Sequence, residues 1–381
     1  MLLAAEWAGA QSAPPKLVVY SVDHGLRPEA AGEVAFVLAE AEKRGLSARG
    51  LRWDGEKPAT GVQAAARAAR YRLMGEAMRR DGVSLLLTAH HRDDQAETVL
   101  MRLAHGSGLG GLRGMTAFGE AEGVALFRPL LDLAPEMLRA VVAAAGLNPV
   151  ADPGNDDTHY ERVRWRQALP ALRELGLDAP ALARFAQRAG EADDAVVLWA
   201  EERLAALGEI DAFGAALLPA AEVVALPRAV GVKLLLRLLD RISGGQKPRA
   251  LGQVERLWER IAGQEAFETT LLGANVSRRG GKLWVTREPG RQKAAEAVIA
   301  PSGSLLWDGR FRIGNGGTRP VLVGGAGTLT RPMAESLLGR RLSSPAAAIR
   351  SAPLVRSEDG ALLALGAHRV ADFVSVEFSC W

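Results

Sequence analysis

Two short apolar runs near the start of the chain, Lys16 to Ser21 and Ser84 to Thr88, are separated and followed by segments with helical spacing. This alternation commits the region to an α/β architecture with a largely parallel sheet, because parallel strands need long crossovers and helices usually supply them. Glu29 to Arg44 carries Val34, Val37, Leu38 and Ala41 at helical spacing and stops at Gly45, with a weaker strand at Leu51 to Trp53 beyond it. Val62 to Arg80 reads as a second helix. A third opens near Asp93, directly after the Ser84 to Thr88 strand, and ends near Gly106. After Pro170 the pattern changes to two long helices, Ala179 to Leu207 and Val223 to Ile242, with no strand expected between them. From about Glu268 short strand-like pieces follow, such as Lys282 to Thr286, Gly309 to Ile313 and Val321 to Val323. The expected organisation is an α/β domain over 1–180, a mainly helical domain over 181–290, and a small mixed segment over 300–381.

Composition removes several classes of function. With 48% apolar and 24% charged residues the chain is a folded globular protein rather than a disordered or fibrous one. No stretch approaches the roughly 18 apolar residues of a membrane span, and Met1 to Ala10 lacks a basic leader. Cys380 is the only cysteine, which leaves no disulfide framework, metal clamp or redox pair and points to a reducing cytoplasm. The net charge of +3 decides little, but its distribution is uneven. Residues 301–381 hold nine Arg, no Lys and six acids, and arginines recur at Arg67, Arg70 and Arg72 and at Arg162, Arg164 and Arg166. Such clusters suit phosphate groups, although a solvated basic face or a compositional bias toward Ala, Gly and Arg gives the same pattern.

Chemistry concentrates in Thr88-Ala-His-His-Arg-Asp-Asp-Gln-Ala-Glu-Thr98, where a strand hands over to a helix. Ligands of open α/β sheets bind at such carboxyl ends. Asp94 and Glu97 are three apart, so a helix sets both carboxylates on one face, where they could hold Mg²⁺ with substrate phosphates or an ammonium group. The alternative is that acids in a first turn simply offset the helix dipole. His90 and His91 are adjacent rather than four apart, which argues against a helical zinc pair. Asp23 and His24 follow the first strand on the same edge. Gly106-Ser-Gly108 and the glycines after it could bring amides to an anion or merely reverse the chain. Ser243-Gly-Gly-Gln-Lys247 has no preceding strand and is a turn, as is Asp152-Pro-Gly-Asn155 by composition.

Val22-Asp-His-Gly-Leu-Arg27, Ala65-Ala-Arg-Ala-Ala-Arg-Tyr71, Thr88 to Thr98, Gly106-Ser-Gly108, Gly111-Leu-Arg-Gly-Met115, Arg128-Pro-Leu-Leu131 and Asp152 through Arg166 stand in the order and spacing of the tRNA(Ile)-lysidine synthetases. The resemblance is strong over 1–180. It continues more weakly through Thr270-Leu-Leu-Gly273 and Leu283-Trp-Val-Thr-Arg287, and is thin after 300. It implies a Rossmann-like PP-loop ATP pyrophosphatase domain. It also implies a ligase that uses ATP and Mg²⁺ to adenylate the C2 oxygen of the wobble cytidine in a tRNA(Ile) with a CAU anticodon. The amine of free lysine then displaces AMP. Arg70, His90, Asp94 and Glu97 match the family's catalytic positions, with Asp94 also a metal ligand. Asp23, His24, Gly106 and Gly108 match the nucleotide side, and Arg128, Arg162, Arg164 and Arg166 the tRNA side. No membrane partner is implied, and a homodimer is open. Thiolating relatives in the superfamily depend on cysteines that this domain lacks.

The resemblance also sets an expectation about the start. The family's S-G-G-x-D-S phosphate loop should stand immediately before a segment like Met1 to Trp7, and its first strand between those of Lys16 to Ser21 and Ser84 to Thr88. The sequence therefore reads as lacking that strand and loop and as inactive and poorly stable, the alternative being a catalytically dead RNA-binding remnant.

Overall fold

The computed structural model describes residues 1–148, 157–244, 251–263, 266–288 and 295–379. The Asp152 to Asn155 turn, Lys247 and Cys380 lie outside them. The chain divides into two compact units, Met1–Glu191 and Ala192–Trp381.

The first unit begins with α1 (Leu2–Gly9), β1 (Val18–Asp23), α2 (Ala30–Glu42), β2 (Ser47–Arg52) and α3 (Val62–Asp81). It continues through β3 (Leu86–Leu87), α4 (Arg92–Ala104), α5 (Leu109–Leu112), β4 (Phe118–Ala121) and β5 (Val124–Phe127) to α6 (Pro135–Ala144) and α7 (Glu161–Glu174). The boundary falls within α8 (Ala179–Leu207). The α/β expectation holds, with α2 as the crossover between parallel β1 and β2. β3 pairs in parallel with β5, which carries β4 antiparallel on its other side. Among the described residues these form two separate sheets, β1-β2 and β3-β5-β4.

Side-chain bonds lock these pieces. Asp81, the last residue of α3, accepts from the Tyr20 hydroxyl at 2.9 Å and from Arg49 Nε at 2.9 Å, tying α3 to β1 and β2. Hydrogen bonding to Arg49 is the main reason its carboxyl falls to about 2. The apolar face of α4 packs Ala96, Val99 and Leu100 against Ala179, Leu182 and Ala186 of α8 rather than against a sheet. Leu103, one turn on, is exposed.

The second unit opens with β6 (Glu209–Ile210), β7 (Ala216–Pro219), α9 (Ala220–Val224), α10 (Arg228–Ser243) and α11 (Leu251–Gly263). It then forms β8 (Phe267–Leu271), β9 (Ala274–Arg279) and β10 (Lys282–Arg287). The strands make one antiparallel sheet in the order β6-β7-β10-β9-β8. Two strands therefore stand where none was expected between the long helices. Both are too short to show an alternation of their own, and β7 is fixed by pairing with the distant β10, Lys282 opposite Pro219. α10 buries Leu234, Leu235, Leu238, Leu239 and Ile242 in the shared core. Gly231 admits Trp258 of α11, since a Cβ there would stand 1.9 Å from the indole ring.

The last stretch forms β11 (Ala297–Ile299), β12 (Ser304–Trp307), β13 (Phe311–Asn315) and β14 (Val321–Gly325). α12 (Arg331–Leu338), α13 (Ala346–Ser351), β15 (Pro353–Ser357), β16 (Leu362–Leu365), β17 (His368–Arg369) and β18 (Val374–Phe378) complete it. Two sheets, β11-β14-β15-β16-β17 and β12-β13-β18, enclose one core of Trp307, Phe311, Ile313, Val323, Val355 and Val376. This segment is not a loose tail. Ala367 N donates to Ala212 O at 2.6 Å, and the fully buried Arg310 bonds to Asp308, which also accepts from Arg287 of β10 at 3.0 Å.

Candidate active site at the strand ends

α4 starts abruptly because His91 and Asp94 cap it reciprocally. His91 N donates to Asp94 Oδ2 at 2.9 Å, and His91 Nδ1 accepts from Asp94 N at 3.3 Å. The expected common face of Asp94 and Glu97 is present, and α7 supplies what meets it. Arg162 donates from Nε to Glu97 Oε2 at 2.6 Å and from Nη2 to Asp94 Oδ1 at 2.9 Å. Arg166 donates from Nε to Glu97 Oε1 at 2.7 Å. Glu97 is 1% exposed, so its charge depends on these two guanidinium groups. Glu97 is also the main reason that Arg166 holds its proton more firmly than usual.

This pairing gives partners to residues expected to meet tRNA or a metal. Arg162 and Arg166, read as tRNA contacts, are bonded to the acids of α4; only Arg164 of the three points elsewhere, donating to Thr158 O and His159 O at 2.9 Å each. Asp94, read as a metal ligand, is bonded through both oxygens, and a guanidinium 2.9 Å away opposes a divalent cation. The described residues contain no cluster of three potential metal-binding side chains. Asp94 would hold Mg²⁺ only by giving up Arg162, with substrate phosphates supplying the rest of the shell.

His90 lies between the strand and this network, its Nδ1 2.9 Å from Thr88 Oγ1. Burial, and then the charges of Arg128, Arg162 and Arg67 against the opposing pull of Asp94, bring its pKa down to about 4. The ring is neutral at physiological pH. Arg128 itself, expected on the tRNA surface, is 8% exposed and donates inward to Thr116 O at 2.8 Å. It acts on the site through its field.

At the end of β1, Asp23 Oδ1 accepts from Gly25 N at 2.7 Å, and His24 Nε2 accepts from Arg70, with Nη2 at 3.1 Å. The structure thus joins His24 and Arg70, which lie far apart in sequence. The glycine segment does something else. Gly106, at φ +67°, returns its amide to Leu103 O, and Gly108 caps the short α5. Gln95 and Arg102 of α4 then fasten the segment: Gln95 Oε1 accepts from Met115 N at 2.7 Å, and Arg102 donates to Gly111 O and Gly114 O. Gly114 has to be glycine, since a Cβ would stand 2.5 Å from the Gln95 side chain and φ is +67°. Sequence reasoning missed Gln95, Arg102, Trp53 and Lys57. The first two bond only backbone carbonyls and amides, which leave no trace in composition.

Comparison with known proteins gives the family. Residues 1–172 match the PP-loop domain family, which sets the class of the first unit. The chain is 43% identical over 303 residues to a tRNA(Ile)-lysidine synthase of Rhodopseudomonas palustris, spanning 77% of this chain and 87% of that protein. It is 40% identical over 321 residues to one from a Bradyrhizobium species, 78% and 88% of the two chains, and 43% over 293 residues to one from Methylobacterium nodulans, 74% and 86%. The chain belongs to the tRNA(Ile)-lysidine synthase family.

Proposed function

We propose that the protein is a cytoplasmic ATP-dependent ligase that joins free L-lysine to C2 of the wobble cytidine of a tRNA(Ile) with a CAU anticodon. Family membership supports the reaction class. The observation that carries the residue roles is the α4–α7 network, in which buried Glu97 and half-buried Asp94 fix arginines beside a neutral histidine at the carboxyl ends of the strands. Among the described residues no helix is long and apolar enough to cross a membrane.

In the first step the C2 oxygen of cytidine attacks the α-phosphorus of ATP. The new O–P bond forms as the bond to the β-phosphoryl oxygen breaks, and pyrophosphate leaves. In the second step the lysine amine adds to C2, the C2–O bond breaks, and AMP departs as a proton is released. Adenylation turns a poor leaving group into a good one. Charge develops on phosphoryl oxygens in both steps, so donors already fixed in place contribute most. Arg162 is such a donor: two of its nitrogens are held by Glu97 and Asp94, and Nη1, which has no partner among the described residues, is the one offered to the ligand. Neutral His90 adds hydrogen bonding without competing charge.

The test supplies the chain, preceded by the S-G-G-x-D-S strand and loop that the family resemblance places before Met1, with tRNA(Ile) transcript, ATP and lysine. The reading expects lysine incorporation that requires ATP and releases AMP and pyrophosphate in equal amounts. Incorporation without AMP release, or none at all, contradicts it.

A further inference from the structure

We propose that Lys57, seated on Trp53 beside His24, is a phosphate-binding gate at the carboxyl ends of β1 and β2. The inference deepens the reading above and rests on it for the identity of the substrates.

β1 and β2 run in parallel with Asp23 opposite Arg52, and Trp53 N extends the ladder to Asp23 O at 2.9 Å. The residues that follow each strand therefore emerge side by side on the ligand edge. Trp53 turns the edge of its ring to His24, with centroids 6.3 Å apart and planes at 86°. Lys57 folds back over the same indole, its ammonium 3.9 Å from the ring centroid and bonded to Trp53 O. It also stands 3.9 Å from where a Cβ on Gly25 would lie. Lys57 thus covers the point where the two strand ends meet.

The cluster lacks an anion. Lys57 meets no carboxylate at ion-pair distance among the described residues, and Arg70 bonds an imidazole rather than an acid. Arg67 lies over the ring of Tyr71, 5.0 Å from its centroid. The neighbouring acid Asp23 holds Gly25 N through Oδ1 and lies 3.9 Å from Arg52 through Oδ2.

It also lacks an acceptor. A guanidinium only donates, so His24 Nε2 must carry its lone pair, and the neutral ring bears its proton on Nδ1. Burial and the Arg70 charge both disfavour protonation of that ring. Nδ1 is buried and has no hydrogen-bond partner among the described residues. A group that brings negative charge and several acceptor oxygens together satisfies both shortages, and phosphate is that group. Among the described residues Lys57 is held by its own loop carbonyl and a ring face alone, and both can be exchanged for a phosphate. The phosphate belongs either to the nucleotide or to the RNA backbone.

The experiment titrates the full chain with pyrophosphate, with ATP and with tRNA transcript while following tryptophan emission. Wild type is compared with Trp53→Phe, Lys57→Met and Lys57→Arg. Lys57 leaving the indole should change emission in wild type but not in Trp53→Phe. Lys57→Met, which keeps the stem on the ring, should bind the responsible ligand about tenfold more weakly, and Lys57→Arg should recover most of that loss. Weakening for pyrophosphate and ATP assigns the phosphate to the nucleotide, and weakening for tRNA alone assigns it to the RNA backbone. Unchanged affinity of Lys57→Met for all three overturns the proposal. Binding is read here without turnover, so a chain that takes phosphate through Lys57 yet joins no lysine to tRNA contradicts the proposed function and leaves this inference standing.

Discussion

The arginines of the two units differ in what they face. In the first unit Arg162 and Arg166 meet a carboxylate that is 1% exposed, and Arg128 is buried. In the last stretch of the second unit Arg312, Arg319, Arg340, Arg341, Arg350, Arg356 and Arg369 are exposed, and none of their guanidinium groups has a hydrogen bond or ion pair among the described residues. The same residue type thus stands in two electrostatic situations. A guanidinium fixed by a buried acid is a local donor of set direction, nearly neutral at a distance. A set of unpaired guanidinium groups is a field, the kind that RNA phosphates read and that salt screens. Arginine density in the sequence does not separate the two; the identity of the partner does.

Arg310 sharpens the comparison because it is an arginine of the second unit in the first unit's situation. It is fully buried and bonds to Asp308 and to Ser351 O at 2.7 Å. Arg310→Ala should lower stability by about 3 kcal/mol, at the lower end for breaking a buried ion pair because Asp308 keeps Arg287. Thermal unfolding measures this. If burial did not set the role, the variant would unfold like wild type and instead lose RNA affinity.

Glu97→Ala comes next. It should cost about 2 kcal/mol of stability, less than a fully buried pair, because its arginines are partly solvated and keep a share of their hydration. Its larger consequence is on turnover, which should fall at least about a hundredfold as Arg162 and Arg166 lose their fixed directions. Near-normal turnover would return Asp94 and Glu97 to the helix-dipole explanation.

A further effect is a pH dependence. The His90 pKa is about 4 in the folded chain against about 6.5 for a free imidazole. The unfolded state therefore binds the proton first, and the contribution of neutral His90 is complete above about pH 6.5 and is lost as pH falls toward 4. Denaturation at a series of pH values should show a gentler decline over that window for His90→Asn than for wild type. Identical slopes would mean that the ring is not held neutral.

Sequence carried the parts of this picture that depend on near neighbours. The strand-to-helix handover at Thr88 to Thr98 and the shared face of Asp94 and Glu97 follow from local spacing. The partners of those acids do not, since Arg162 is 65 residues from Glu97 and only the packing of α7 on α4 joins them. The two-sheet fold of the last stretch was illegible for the same reason. Its strands are at most 5 residues long, and Phe311 of β13 pairs with Phe378 across the whole segment. Deleting this stretch is for that reason a poor probe of RNA binding, because it would also uncover Phe213, which is packed with Ala326, Ile349 and Leu365.

The most direct test sets two charge-neutralising variants side by side, Arg162→Met with Arg166→Met in one chain and Arg340→Gln, Arg341→Gln and Arg356→Gln in another. For each, the tRNA Kd is measured across a salt series and kcat at saturating tRNA. The account predicts that the first variant loses turnover while its Kd and salt slope stay close to wild type. It predicts that the second keeps kcat but binds tRNA more weakly, with a salt slope reduced by about 0.9 for each duplex phosphate that is no longer neutralised. The reverse pattern, with affinity falling at Arg162 and Arg166 and turnover falling at the exposed arginines, would contradict it.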